Sequence, residues 1–88
     1  MEETIDILQK ALDRWGKELQ VNLAIEEMGE LIVALNHFRR GRVGIEAVCE
    51  EIADVAIAME QLTMICGPDK VDRFYSEKLA RLKVRLEN

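Results

Sequence analysis

Proline occurs once in this chain of 88 residues, glycine five times and cysteine twice. So few chain breakers leave little room for loops or disorder. The two cysteines exclude a disulfide scaffold. Cys49 and Cys66 fall at apolar positions of one predicted helix, too far apart along it to bond to each other, and they read as buried, reduced thiols. No apolar run approaches the ~20 residues of a membrane span. The start, Met-Glu-Glu-Thr, is acidic where a secretion signal is basic, so a soluble, cytoplasmic chain is expected. An excess of positive charge is missing too. The formal net charge of −5 argues against a nucleic-acid polymer or an anionic membrane as partner, because both need a net basic surface. Strand-like alternation and internal repeats are also absent.

Hydrophobic residues are abundant at 49%, a large share for one small domain with limited capacity to bury them. Self-association is the expected outlet. The periodicity predicts a first helix from Thr4, as N-cap, to Trp15, with Ile5, Leu8, Leu12 and Trp15 on one stripe. Gly16 ends it. A second helix is predicted from Lys17 to Phe38 or Arg39, carrying Leu19, Leu23, Met28, Leu31, Ile32, Leu35 and Phe38. The segment from Arg39 to Gly44 then reads as a tight reversal. A third helix runs from near Ile45 through Val48, Ile52, Val55, Met59, Leu62 and Ile65. It is apolar on more than one side, as expected of a helix sandwiched between its neighbour and a second subunit. Gly67-Pro68 separates it from a fourth, from about Pro68 to Leu86, with Val71, Phe74, Tyr75, Leu79, Leu82 and Leu86 expected inward. The expected fold is all-α: one domain, residues 1–88, a four-helix chain with a central antiparallel helix hairpin, assembling into a dimeric or tetrameric bundle.

The charged residues inside the second and third helices carry the functional signal. Glu26-Glu27-Met28-Gly29-Glu30 and Glu50-Glu51-Ile52-Ala53-Asp54 lie about twenty residues apart. Glu27/Glu30 and Glu51/Asp54 are i,i+3 pairs, so each pair projects from one face of its helix. Their neighbours one turn away are apolar: Leu23, Ala24 and Leu31 around Glu27, Ala47, Val48 and Val55 around Glu51, Ile57 and Ala58 after Asp54. Carboxylates beside such a stripe are costly to desolvate, and four together repel. No Lys or Arg in either helix is spaced to reach all four. A hard divalent cation with oxygen ligands, Mg²⁺ or Mn²⁺, answers the charge directly.

The pattern Glu-Glu-x-x-Glu, a gap, then Glu-x-x-Asp on antiparallel helices resembles the MazG-like, all-α nucleoside triphosphate pyrophosphohydrolases. The likeness extends along nearly the whole chain: Trp15-Gly16, Gln20, the acidic run ending at Leu31, the Arg40-Gly41 turn, Glu50 to Val55 and a basic last helix follow in that family's order. It implies a Mg²⁺-dependent enzyme cleaving a (d)NTP to (d)NMP and pyrophosphate by metal-activated water, clearing non-standard or surplus nucleotides. Glu27, Glu30, Glu51 and Asp54 are the implied metal ligands and catalytic acids. Glu26 and Glu50 are turned about 100° from their neighbours. Either can bind a further ion, orient the water or face solvent, and Glu26 joins the candidate catalytic set. For substrate binding the likeness implies Lys78, Arg81 and Arg85, spaced i, i+3, i+7 on one side of the last helix, for the phosphates, and Trp15 with Gln20 for the base. The chain departs from the pattern at Leu82, near where many relatives carry Asn.

Other readings compete. The cluster can be an acidic face balanced by basic side chains of another helix or subunit, the cations of the last helix an ordinary solvated stripe, and Trp15 a core residue. His37, the single histidine, reads as a helix-end surface residue without a catalytic role. Phosphoribosyl-ATP hydrolysis uses a similar fold, and the acid spacing does not separate it. A carboxylate-bridged di-iron bundle requires Glu-x-x-His pairs, which are missing. A non-enzymatic helical module would use the acids to bind a basic protein.

Overall fold

A computed structural model of the chain describes residues 3–88. The acidic start at Met1 and Glu2 lies outside the described residues. Every described element is a helix: α1 (Thr4–Trp15), α2 (Lys17–Arg39), α3 (Ile45–Cys66) and α4 (Pro68–Glu87). The predicted boundaries hold to a residue or two. One detail differs, since Thr4 is the first helical residue and Glu3 occupies the cap position without a side-chain cap bond.

Single glycines make two of the joints. Gly16, at φ 85°, and Gly67, at φ 120°, adopt backbone conformations that residues with a Cβ enter only at a cost. Each closes the preceding helix by donating its N–H back one turn, Gly16 to the carbonyl of Leu12 at 2.8 Å and Gly67 to that of Thr63 at 2.9 Å. Pro68 then starts α4 where its missing N–H costs nothing. Between α2 and α3 the chain reverses over residues 40–44, held by the Arg42 N–H donating to the His37 carbonyl at 2.8 Å.

α2 and α3 form the main packing contact, and α1 lies against both. Residues that share a cavity wall run in opposite order along the pair: Gln20 with Gln61, Glu27 with Asp54, His37 with Val43. The seam is thin. Its buried apolar residues are Ala24, Val48 and Ala58, with two buried amides, Gln20 and Gln61, and α1 adds Leu8.

Much of what was expected inside is outside in the single chain. Ile5 and Trp15 of the α1 stripe, Leu19, Leu23, Ile32, Leu35 and Phe38 of α2, and Ile52 and Met59 of α3 are exposed. Cys49 and Cys66 are exposed as well, not buried. α4 touches only α3 among the described elements, and Val71, Phe74, Tyr75, Leu79, Leu82 and Leu86 all face outward. The physical reason is that α2 and α3 pack mainly on each other while α1 and α4 add little cover, so a helix with two apolar sides leaves one of them open within one copy of the chain. The radius of gyration is 15.9 Å, against about 12 Å for a compact domain of this length.

Candidate metal centre

The acids meet at the middle of the α2–α3 seam. Ala24 on α2 and Val48 and Ala58 on α3 bury small side chains, which lets the backbones approach and turns Glu27 and Glu51 toward one another across the seam. Carboxylate oxygens of Glu27, Glu51 and Asp54 all lie within 4.8 Å of one another. Asp54 is within hydrogen-bonding reach of Glu27, and Glu30 of Glu51. Contact between two carboxyl groups needs a shared proton or a cation between them. Even so, Oε2 of Glu27 and Oε2 of Glu51 are buried with no hydrogen-bond partner. Buried polar atoms are rarely left this way.

Electrostatics point the same way. Loss of water holds the Glu27 carboxyl above its ordinary value of 4.5, and repulsion from Glu30, Asp54 and Glu51 adds to the shift. Glu51 is raised too, first by loss of water, then by Glu30, Asp54 and Glu50. All of these influences favour the protonated form, so Glu27 and Glu51 hold negative charge reluctantly.

Two cavities flank the acids along the seam. Toward the reversal lies a groove of about 650 Å³, walled by Glu26, Gly29, Val33 and His37 from α2 and Val43 and Ala47 from α3; Glu30, Glu50 and Glu51 close its inner end. On the opposite side, a smaller cavity of about 170 Å³ is bounded by Gln20, Leu23, Glu27, Asp54 and Gln61. Gln20 is thus one step from the acids, but it is deeply buried. Gln61, which sequence reasoning passed over, faces the same cavity. Its signal was available: Gln20 precedes Glu27 by seven residues and Gln61 follows Asp54 by seven, two helical turns in each case.

Other expected site residues stand elsewhere. Trp15 is 55% exposed at the end of α1, with the Arg14 guanidinium 5.7 Å from its ring centroid. Lys78, Arg81 and Arg85 are exposed on α4, which does not touch α2; Arg81 and Arg85 border a separate shallow groove with Ala80 and Val84. His37, read from sequence as a helix-end surface residue, and Glu50, for which a further ion, the water or solvent were all open, both line the large groove. The spacing Glu26, Gly29, Val33, His37 repeats every three or four residues, and that pattern marks one face.

Compared with known proteins, the chain matches no family model, no curated protein and no solved structure.

Proposed function

We propose that the chain is a Mg²⁺-dependent nucleotide pyrophosphohydrolase of the MazG-like kind, cleaving a nucleoside triphosphate between its α and β phosphates. The observation that carries this reading is the pair of buried, unpartnered oxygens, Oε2 of Glu27 and of Glu51, converging with Asp54. The donor set fits a hard cation: all oxygen, compact, and without the histidine that iron sites of this architecture use. Glu27, Glu51 and Asp54 would hold the ion. When bound, Mg²⁺ supplies neutralisation of phosphate oxygens and a water acidified toward hydroxide.

The chain's own groups do the rest. Glu30 reaches Glu51 but stands outside the three-carboxylate group, so we assign it to orient the attacking water and accept its proton. The water oxygen bonds to phosphorus, the bond from that phosphorus to the α,β-bridging oxygen breaks, and pyrophosphate leaves with the electron pair. Negative charge building on the phosphates calls for cations. Because α4 does not contact α2 in one copy, we assign Lys78, Arg81 and Arg85 to a site completed by a second subunit.

Surface area supports assembly into a homodimer or homotetramer. The chain exposes 7206 Å², whereas a folded monomer of this mass exposes about 5,300 Å². The excess is on the order of what each subunit of an obligate dimer buries. No described helix is long and apolar enough to cross a membrane, and an enzyme clearing non-standard or surplus nucleotides would work in the cytoplasm.

The test is release of pyrophosphate from a panel of (d)NTPs, with phosphoribosyl-ATP included, in Mg²⁺. At least one substrate should turn over, and Glu51→Gln should abolish it. Silence across the panel, or an active Glu51→Gln variant, removes the proposal.

A further inference from the structure

We infer that Gln20 and Gln61 are positioning residues for the metal: two buried amides that hold, through ordered water, the outer coordination shell of an ion at Glu27, Glu51 and Asp54. This rests on the pyrophosphohydrolase reading only for the ion itself.

Both amides are taken almost wholly out of solvent, Gln20 at 4% exposure and Gln61 at 8%. Glutamine is seldom buried without hydrogen bonds to offset the loss of water. Yet neither side chain bonds to another group among the described residues. Nor are their polar atoms sealed in as Oε2 of Glu27 and Oε2 of Glu51 are. Both residues line the cavity of about 170 Å³ whose wall also includes Glu27 and Asp54. The amides and the acids thus share one space.

Within each helix the spacing rules out direct contact. Gln20 precedes Glu27 by seven residues and Gln61 follows Asp54 by seven, about 10.5 Å at the usual rise. Side chains on one helix face meet at three or four residues; at seven they need a group between them. The wall between is Leu23 on α2 and Ile57 and Ala58 on α3, whose side chains have no polar atom. Water supplies the bridge. A polar cavity of this size admits several molecules, and a bridging water is nearly as favourable as a direct bond.

The donor and acceptor balance suits Mg²⁺. The ion takes few protein oxygens and keeps several waters. Those waters have a lone pair committed to the metal, so they donate outward and require acceptors behind them. The ligating carboxylates keep further lone pairs, which require donors. An amide offers both and adds no charge. A Lys or Arg in its place would compete with the ion for the carboxylates, and another acid would add to their repulsion. Outer partners of this kind orient the ligands, and losing them costs about 10–100-fold in metal affinity.

The experiment is calorimetric titration of the full chain with Mg²⁺ alone, without nucleotide, alongside melting curves in EDTA. Gln20→Met/Gln61→Met keeps the volume and removes the polar ends. Its Mg²⁺ affinity should fall about tenfold or more, while the metal-free melting temperature holds or rises because two poorly satisfied amides leave the seam. Unchanged affinity in the double variant would overturn the proposal. So would a loss of affinity accompanied by a lower metal-free melting temperature, the mark of amides that only hold the helices together. A crystal structure of the Mg²⁺-loaded parent at high resolution needs no variant: ordered water should lie within hydrogen-bonding distance of both amides and lead to the ion's own waters, and a dry cavity would overturn the proposal. If parent and double variant bind Mg²⁺ equally, only the role of the amides fails; if the parent binds none, the pyrophosphohydrolase reading fails with it.

Discussion

Glu27 and Glu51 each combine a buried oxygen, no partner and three acidic neighbours, and that combination has a thermodynamic sign. Their carboxyls are held above the ordinary 4.5, so the fold favours their protonated form. Below about 4.5 the protons are bound in folded and unfolded chains alike. As pH rises from there through the elevated values, the unfolded chain releases its protons first and stability falls. Metal-free protein should accordingly melt at a higher temperature just above pH 4.5 than at neutral pH, by a margin that Glu27→Gln/Glu51→Gln reduces; thermal scans in EDTA across that window measure it. Added Mg²⁺ should reverse the neutral-pH deficit by binding the folded state. In Glu51→Gln this thermal gain should disappear, and turnover should drop by about 100-fold or more, consistent with the several kcal/mol a catalytic ion supplies. A melting curve indifferent to Mg²⁺ in the parent protein would contradict both expectations.

Among the elements, α1 and α4 are the loosely held ones. α1 has one buried side chain among the described residues, Leu8, in a helix too short to be stable alone. Leu8→Ala should cost about 2–4 kcal/mol, with hydrogen exchange accelerating first in α1. Gly16→Ala should also destabilise, by roughly 1 kcal/mol, because its φ of 85° disfavours a side chain. α4 behaves differently. None of its residues is buried, so within a single copy Leu82→Ala should change unfolding free energy by less than about 0.5 kcal/mol. If a second copy covers that face, the same substitution should weaken association by tenfold or more, which sedimentation equilibrium reads directly.

In the molecule as a whole, the helices were legible because their punctuation is chemical: Gly16, Gly67-Pro68 and the Arg40-Gly41 reversal coincide with the observed ends. The convergence of Glu27, Glu51 and Asp54 was legible from i,i+3 spacing on two helices that must pack. Burial was not. Hydropathy marks Phe74 or Ile32 as apolar without saying which surface, if any within one copy, covers it. His37 and Gln61 were missed for a related cause. Exposed polar residues on a helix look solvated until the neighbouring helix is in place to make a wall behind them.

The exposed side of α4 has a consequence for dosage. If, as proposed, a second copy supplies the site's α4 cations, the working dimer would scale with the square of chain abundance at low expression. Halving synthesis would then cut nucleotide clearance by more than half, a steep response set by mass action, with no regulator required.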